Sequence, residues 1–145
     1  MRRKLFVDTN VLLDAAMSER PERNYALLLM DEFAFGEVQG YVAATSLKDI
    51  YYVLGKYADE PHARRYVRAL MELLDVVSVD APRCLDAVGS DEPDFEDGLI
   101  RSCAESVPAH FIISRDEKAF RLSPVKRLSA KEYITRYCAV QKTDL

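Results

Sequence analysis

The chain has 145 residues, 49% of them hydrophobic and 30% charged, and carries a formal net charge of −4. That length closes one core without disulfides, and the balance is that of a globular chain rather than a disordered one. The acidic charge shows none of the basic excess usual in nucleic-acid binders, but carboxylates gathered in one cation-binding site can mask such a role.

Met1-Arg2-Arg3-Lys4 begins like a signal peptide, but Asp8 interrupts the apolar segment at once, and no later run is long enough to span a bilayer. A cytoplasmic protein with no membrane segment is expected. Leu5-Phe6-Val7 is a short apolar strand ending at Asp8, with Thr9-Asn10 as turn chemistry and a helix from Val11 to Ala16. Apolar residues at helical rhythm between Arg23 and Phe35 stop at Gly36. Tyr41 to Ala44 reads as a second buried strand, and Thr45-Ser46 as the cap of a helix ending near Gly55. Pro61 opens a helix through Leu74, Asp75 to Val79 is a strand, and Cys84 to Val88 a short helix. A helix over Asp94–Ala104, strands at Phe111–Ile113 and Val125–Leu128, and a helix from Ala130 to about Cys138 complete the pattern.

Short, wholly apolar strands alternating with amphipathic helices predict an α/β fold: three layers, α/β/α, around a central, mostly parallel five-stranded sheet. One domain is expected over residues 1–140, with 141–145 as a short tail. The cysteines Cys84, Cys103 and Cys138 are dispersed, and the histidines His62 and His110 are isolated. Neither set has the clustering of a zinc site, so the cysteines read as reduced apolar residues on helices.

In open parallel sheets, sites form beyond the carboxyl ends of the strands. Asp8, Asp49, Asp94, Asp97 and Asp116 all fall at that rim. Each has a local alternative. Ser46-x-x-Asp49 matches a capping box, Asp94 an N-cap, Asp116 the cap of a short helix over Glu117–Phe120, and Asp8 an Asx-turn. Taken together they repel one another unless a cation intervenes. Oxygen-only donors select a hard ion, Mg2+ or Mn2+, which can activate water and stabilise a pentavalent phosphate. Lys48, Arg101, Arg115 and Lys118 lie beside these acids in sequence and are candidates to reach phosphates. Arg64, Arg65 and Arg68 read as a solvated helix face, and Tyr51, Tyr52 and Tyr57 as core or dimer-interface aromatics.

Three segments carry a family resemblance: Leu5-Phe6-Val7-Asp8-Thr9-Asn10-Val11-Leu12, Asp94-Phe95-Glu96-Asp97, and Ile112-Ile113-Ser114-Arg115-Asp116-Glu117-Lys118-Ala119-Phe120. In order and approximate spacing they resemble the motifs of PIN domains, many of which are VapC-type toxins of toxin–antitoxin pairs. The resemblance implies Mg2+- or Mn2+-dependent endoribonuclease activity with Asp8, Asp49, Asp97 and Asp116 as the catalytic acids. Asp94 competes with Asp97 for the third metal position, so the metal set is Asp8, Asp97, Asp116 and Asp94. Thr9 or Asn10, and Ser114, match the family's small polar residues near the phosphate, joined here as substrate-binding candidates by Arg115 and Lys48. An RNA substrate, a small antitoxin partner and a homodimer are implied as well. The family's second acid is usually Glu, where this chain has Asp49; the alternative is therefore a weak or inactive PIN-like module that binds RNA or protein. A haloacid-dehalogenase reading fails at Asn10, where a second Asp is needed, and a Rossmann reading lacks the Gly-rich turn.

Overall fold

Leu5, Phe6 and Val7 are fully buried because their strand, β1 (Arg3–Val7), is the middle one of a sheet covered on both faces. The computed structural model describes residues 2–138, so the expected tail at 141–145 lies outside the described residues. β1 is flanked by β2 (Val38–Ala43) and β4 (Phe111–Ile113), and the edges are β3 (Asp75–Val77) and β5 (Lys126–Leu128). The five-strand order is β3-β2-β1-β4-β5 and every pairing is parallel, which sharpens the expected "mostly parallel" sheet.

Alternate residues of β1 point to opposite faces and found two cores. Leu5 and Val7 pack with Val11, Leu12, Leu29, Ile50, Leu70 and Ile134. These come from α1 (Thr9–Ala16), α2 (Arg23–Ala34), α3 (Ala44–Tyr57), α4 (Glu60–Leu73) and α7 (Ala130–Tyr137). Phe6 and Ile112 pack on the other face with Ile100 and Cys103 of α6 (Phe95–Glu105), and α5 (Ala81–Val88) packs against α6. Among the described residues no helix is long and apolar enough to cross a membrane. Cys84, Cys103 and Cys138 are free, the last two buried.

Several local expectations shift. β2 begins at Val38, and β3 stops at Val77 rather than Val79. Thr45 and Ser46 do not cap α3: β2 runs straight into the helix, the N-cap is Ala43, and no side chain bonds the helix end. The capping-box account of Asp49 therefore falls. α3 also passes through Gly55 to Tyr57, because one helical glycine costs only about 1 kcal/mol and packing absorbs it. Gly36, at φ 77°, does what the sequence asked of it and ends the turn after α2. No helix forms over Glu117–Phe120, which is a turn. Tyr52 and Tyr57, 61% and 48% exposed, are not core, and the Tyr51 hydroxyl donates to Glu60.

The strand order reverses direction between β1 and β4. A crevice opens where such a reversal occurs, beyond the carboxyl ends of the two strands. The backbone N–H of Asp8 still donates to the Ile113 carbonyl at 2.9 Å, and that of Ser114 to Leu128 at 2.9 Å. Asp8 and Ser114 are thus the first residues past the sheet on either side of that crevice.

Candidate functional site

Asp8 leaves β1 and becomes the N-cap of α1, with Oδ1 accepting the Thr9 backbone N–H at 2.8 Å. Its Oδ2 accepts the Ser114 hydroxyl at 2.7 Å. The residue is 9% exposed, and burial raises its pKa against the opposing pull of those two hydrogen bonds; Asp116 raises it further. Ser114 Oγ in turn accepts the Asp116 backbone N–H at 3.1 Å, so one hydroxyl joins the two strand ends. The Asp116 carboxylate is exposed and closes an Asx-type turn, accepting from the N–H groups of Lys118 (3.0 Å) and Ala119 (3.2 Å). Beside Asp8, the Thr9 hydroxyl donates to Ser46 at 2.7 Å, and Asn10 Oδ1 is buried with no hydrogen-bond partner.

The amino end of α6 supplies the facing wall. Asp94 is its N-cap and accepts the Asp97 N–H at 2.7 Å, so the local reading of Asp94 holds alongside any other role. Asp97 carries the clearest electrostatic mark: its carboxyl is pushed up to about 6 by burial, then by Asp94, Asp116, Asp8 and Glu92. These acids, drawn from distant parts of the sequence, therefore share one neighbourhood. Asp49 reaches the same rim through a residue the sequence reading passed over. Glu96 stands beside it, and its pKa is raised first by Asp49, then by burial and by repulsion from Asp94 and Asp8. Asp49 also lies 3.5 Å from Nζ of Lys48, a side chain 80% exposed.

The basic residues divide. Lys48 and Lys118 are exposed at the rim. Arg115 is committed elsewhere: its guanidinium binds Asp14, a buried acid of α1 that no local sequence pattern marks. Arg101 pairs with Glu105 at 2.8 Å and stands 4.0 Å from the buried Glu92. Ser46, Glu92, Glu96 and Asp14 were all invisible to spacing, because each matters through a contact with another element.

Among the described residues, no three acids, histidines or cysteines are grouped closely enough to hold a metal ion between them. The donors at the rim are nonetheless all oxygens, and Asp8 is buried against neutral donors. Magnesium keeps several waters and takes only one or two carboxylates from the protein, so an open acidic rim fits a hydrated hard cation better than a tightly caged one. Asp8 and Asp97, with Asp116 and Asp94 beside them, are the residues that could contribute to holding one.

The PIN domain family matches the chain over residues 4–118. No curated protein matches the sequence. Among solved structures, the chain is similar to VapC20 of Mycobacterium tuberculosis, a sarcin–ricin loop cleaving toxin, at 16% identity and a TM-score of 0.64, over 78% of this chain and 90% of that one. It is similar to VapBC2 of Rickettsia felis, bound to a DNA fragment from their promoter, at 15% identity and a TM-score of 0.64, over 87% and 98%. A toxin–antitoxin complex from Klebsiella pneumoniae gives 16% identity and a TM-score of 0.67, over 87% and 97%. At these identities the likeness is one of fold.

Proposed function

This chain belongs to the PIN domain family, and from that premise we propose that it is a Mg2+- or Mn2+-dependent endoribonuclease of the cytoplasm, the toxin of a toxin–antitoxin pair. The observation that carries the reading is the acid cluster at the β1/β4 crevice, seen most directly in Asp97, whose carboxyl is pushed up to about 6. Like charges are gathered there at a cost to stability, and a bound cation offsets it. When present, the metal supplies an activated water and charge for the phosphate.

In this reading Asp8 is held for its role by Ser114 and Thr9, which fix both carboxylate oxygens without a competing cation. Asp97 and Asp116 complete the metal set, with Asp94 assisting and Asp49 a further catalytic acid at the rim. Thr9, Asn10 and Ser114 line the approach to the phosphate, and Asn10 Oδ1 has a hydrogen-bond position unused. Lys48 and Lys118 are the exposed cations available to an RNA backbone. The toxin–antitoxin complexes among the similar folds support a small antitoxin as partner, and a homodimer is proposed on the family resemblance.

The test is to incubate purified protein with mixed RNA in Mg2+ or Mn2+, then with EDTA. Cleavage should require metal and vanish in Asp8→Asn. Cleavage that survives either change overturns the mechanism. A second reading, a PIN module that binds without cutting, is favoured by the absence of a closed cage among the described residues and by the Lys48 and Glu96 contacts of Asp49. No cleavage with any metal, together with retained RNA binding, would select it.

A further inference from the structure

Asp14, on the buried face of α1, is 1% exposed and engages two arginines. Arg115 meets it with a fork: Nε donates to Oδ2 at 2.7 Å and Nη2 to Oδ1 at 3.2 Å. Arg20 Nη1 stands 3.5 Å from Oδ1. In sequence, Arg115 lies between Ser114, which donates to Asp8, and Asp116. Its backbone runs along the acid cluster while its guanidinium is held by α1.

The turn has other ties that hold its shape. Ser114 N–H donates to Leu128, Arg127 Nη1 donates to the Ser114 carbonyl at 2.8 Å, and Asp116 N–H donates to Ser114 Oγ. An ion pair that only shaped the turn would duplicate these bonds. None of them governs where the charge of Arg115 goes. Cations near the rim are paired with other acids: Lys48 with Asp49, Arg101 with Glu105 and Arg115 with Asp14. Guanidinium matches carboxylate geometry with two parallel hydrogen bonds. The chain's own Arg115, next to Asp116 in sequence, is therefore a potential competitor of a divalent ion for that rim.

We propose that Asp14 is a positioning residue that sequesters the Arg115 guanidinium and so keeps Asp8, Asp97 and Asp116 open to a divalent cation. The inference rests on the metal-dependent reading above.

Calorimetric Mn2+ binding to the full chain, without RNA, tests it. Asp14→Asn releases the guanidinium and weakens Mn2+ binding about tenfold, the scale of one added unit charge at a partly solvated site. Adding Arg115→Gln to Asp14→Asn restores the wild-type affinity to within about twofold, because the competing charge is gone. If Asp14→Asn does not fold, Arg115 variants carry the test with Asp14 in place. Arg115→Lys keeps the charge but loses the fork, and should bind Mn2+ more weakly than the uncharged Arg115→Gln. A purely structural role predicts the opposite order, and a double variant no tighter than Asp14→Asn; either result overturns the proposal. A metal-free crystal structure of Asp14→Asn, or of Arg115→Lys should that variant alone fold, separates this idea from the nuclease reading. If the wild-type chain binds no Mn2+, the metal-dependent reading fails and the crystal structure decides the clamp alone. A side-chain cation from position 115 lying against Asp8 or Asp116 supports sequestration, and one left against position 14 or in solvent overturns it.

Discussion

Asp8 and Asp14 belong to the same helix, one as its N-cap and one on its buried face, and both are almost hidden from solvent. They are treated in opposite ways. Asp14 is met by Arg115 and Arg20, so its charge is neutralised within the fold. Asp8 receives a hydroxyl and a backbone N–H, and its strongest influence is the burial that disfavours its charge. A buried carboxylate with its own cation is part of the architecture. One given only neutral donors, amid other acids, is on the nuclease reading open to a cation from outside.

The sharpest way to break that contrast is to neutralise each acid in turn. Asp8→Asn should lower RNA cleavage by more than about a hundredfold, beyond the loss typical of a residue that merely supports a ligand. Its cost in stability should stay within about 1 kcal/mol, because burial already favours an uncharged group there and the amide is isosteric. Asp14→Ala should do the reverse to stability, costing about 3 kcal/mol in urea unfolding by leaving Arg115 and Arg20 without their buried partner; Arg115 is partly exposed, which holds the figure to the low end for broken buried pairs. Equal stability losses at the two positions would erase the distinction.

The distinction itself was only half legible in the sequence. The strand-ending position of Asp8, the helix-start position of Asp94 and Asp97, and the placement of Asp116 after the fourth strand all follow from local pattern. So does the parallel sheet, since apolar runs such as Phe111-Ile112-Ile113 need cover on both faces. What pattern cannot carry is contact between elements far apart in the chain. Arg115 looked like a phosphate ligand because it sits beside Asp116, yet its partner is 101 positions away. Glu96 was passed over because helical periodicity puts Asp94 and Asp97 on one face and turns Glu96 from it, toward Asp49 on another helix. Ser46 was misread as a cap because capping residues are recognised by type, and the helix begins before it.

A smaller effect follows from the proton that Asp97 retains. Its carboxyl stands at about 6, above its ordinary 3.8, so between those values the folded chain holds a proton that the unfolded chain has released. Metal-free stability from this group is therefore greatest at low pH and is lost as pH rises through the window. Asp97→Asn should make the metal-free chain more stable than wild type at pH 7, with the advantage shrinking toward pH 4, in paired thermal melts. Mn2+ affinity runs the other way, because the proton competes with the metal: it should be flat above pH 7 and fall by up to about tenfold per unit below pH 6. An affinity unchanged at pH 5 would remove Asp97 from the metal set.

The smallest effect is expected at the pair that fits neither pattern. Asp49 has a cation nearby in Lys48, but an exposed one, and the Glu96 carboxyl also stands in its neighbourhood. Two acids set side by side repel, and the Glu96 carboxyl is held above its ordinary range by Asp49 and by burial. Glu96→Gln offers a donor to Asp49 and removes the repulsion between the two acids. If Glu96 only tunes Asp49, metal-supported cleavage should change by no more than about twofold, the scale of an exposed charge interaction. Stability at neutral pH should rise slightly. A loss of tenfold or more would mean that Glu96 is itself a metal-binding acid, standing in for the longer side chain that the family usually has where this chain carries Asp49.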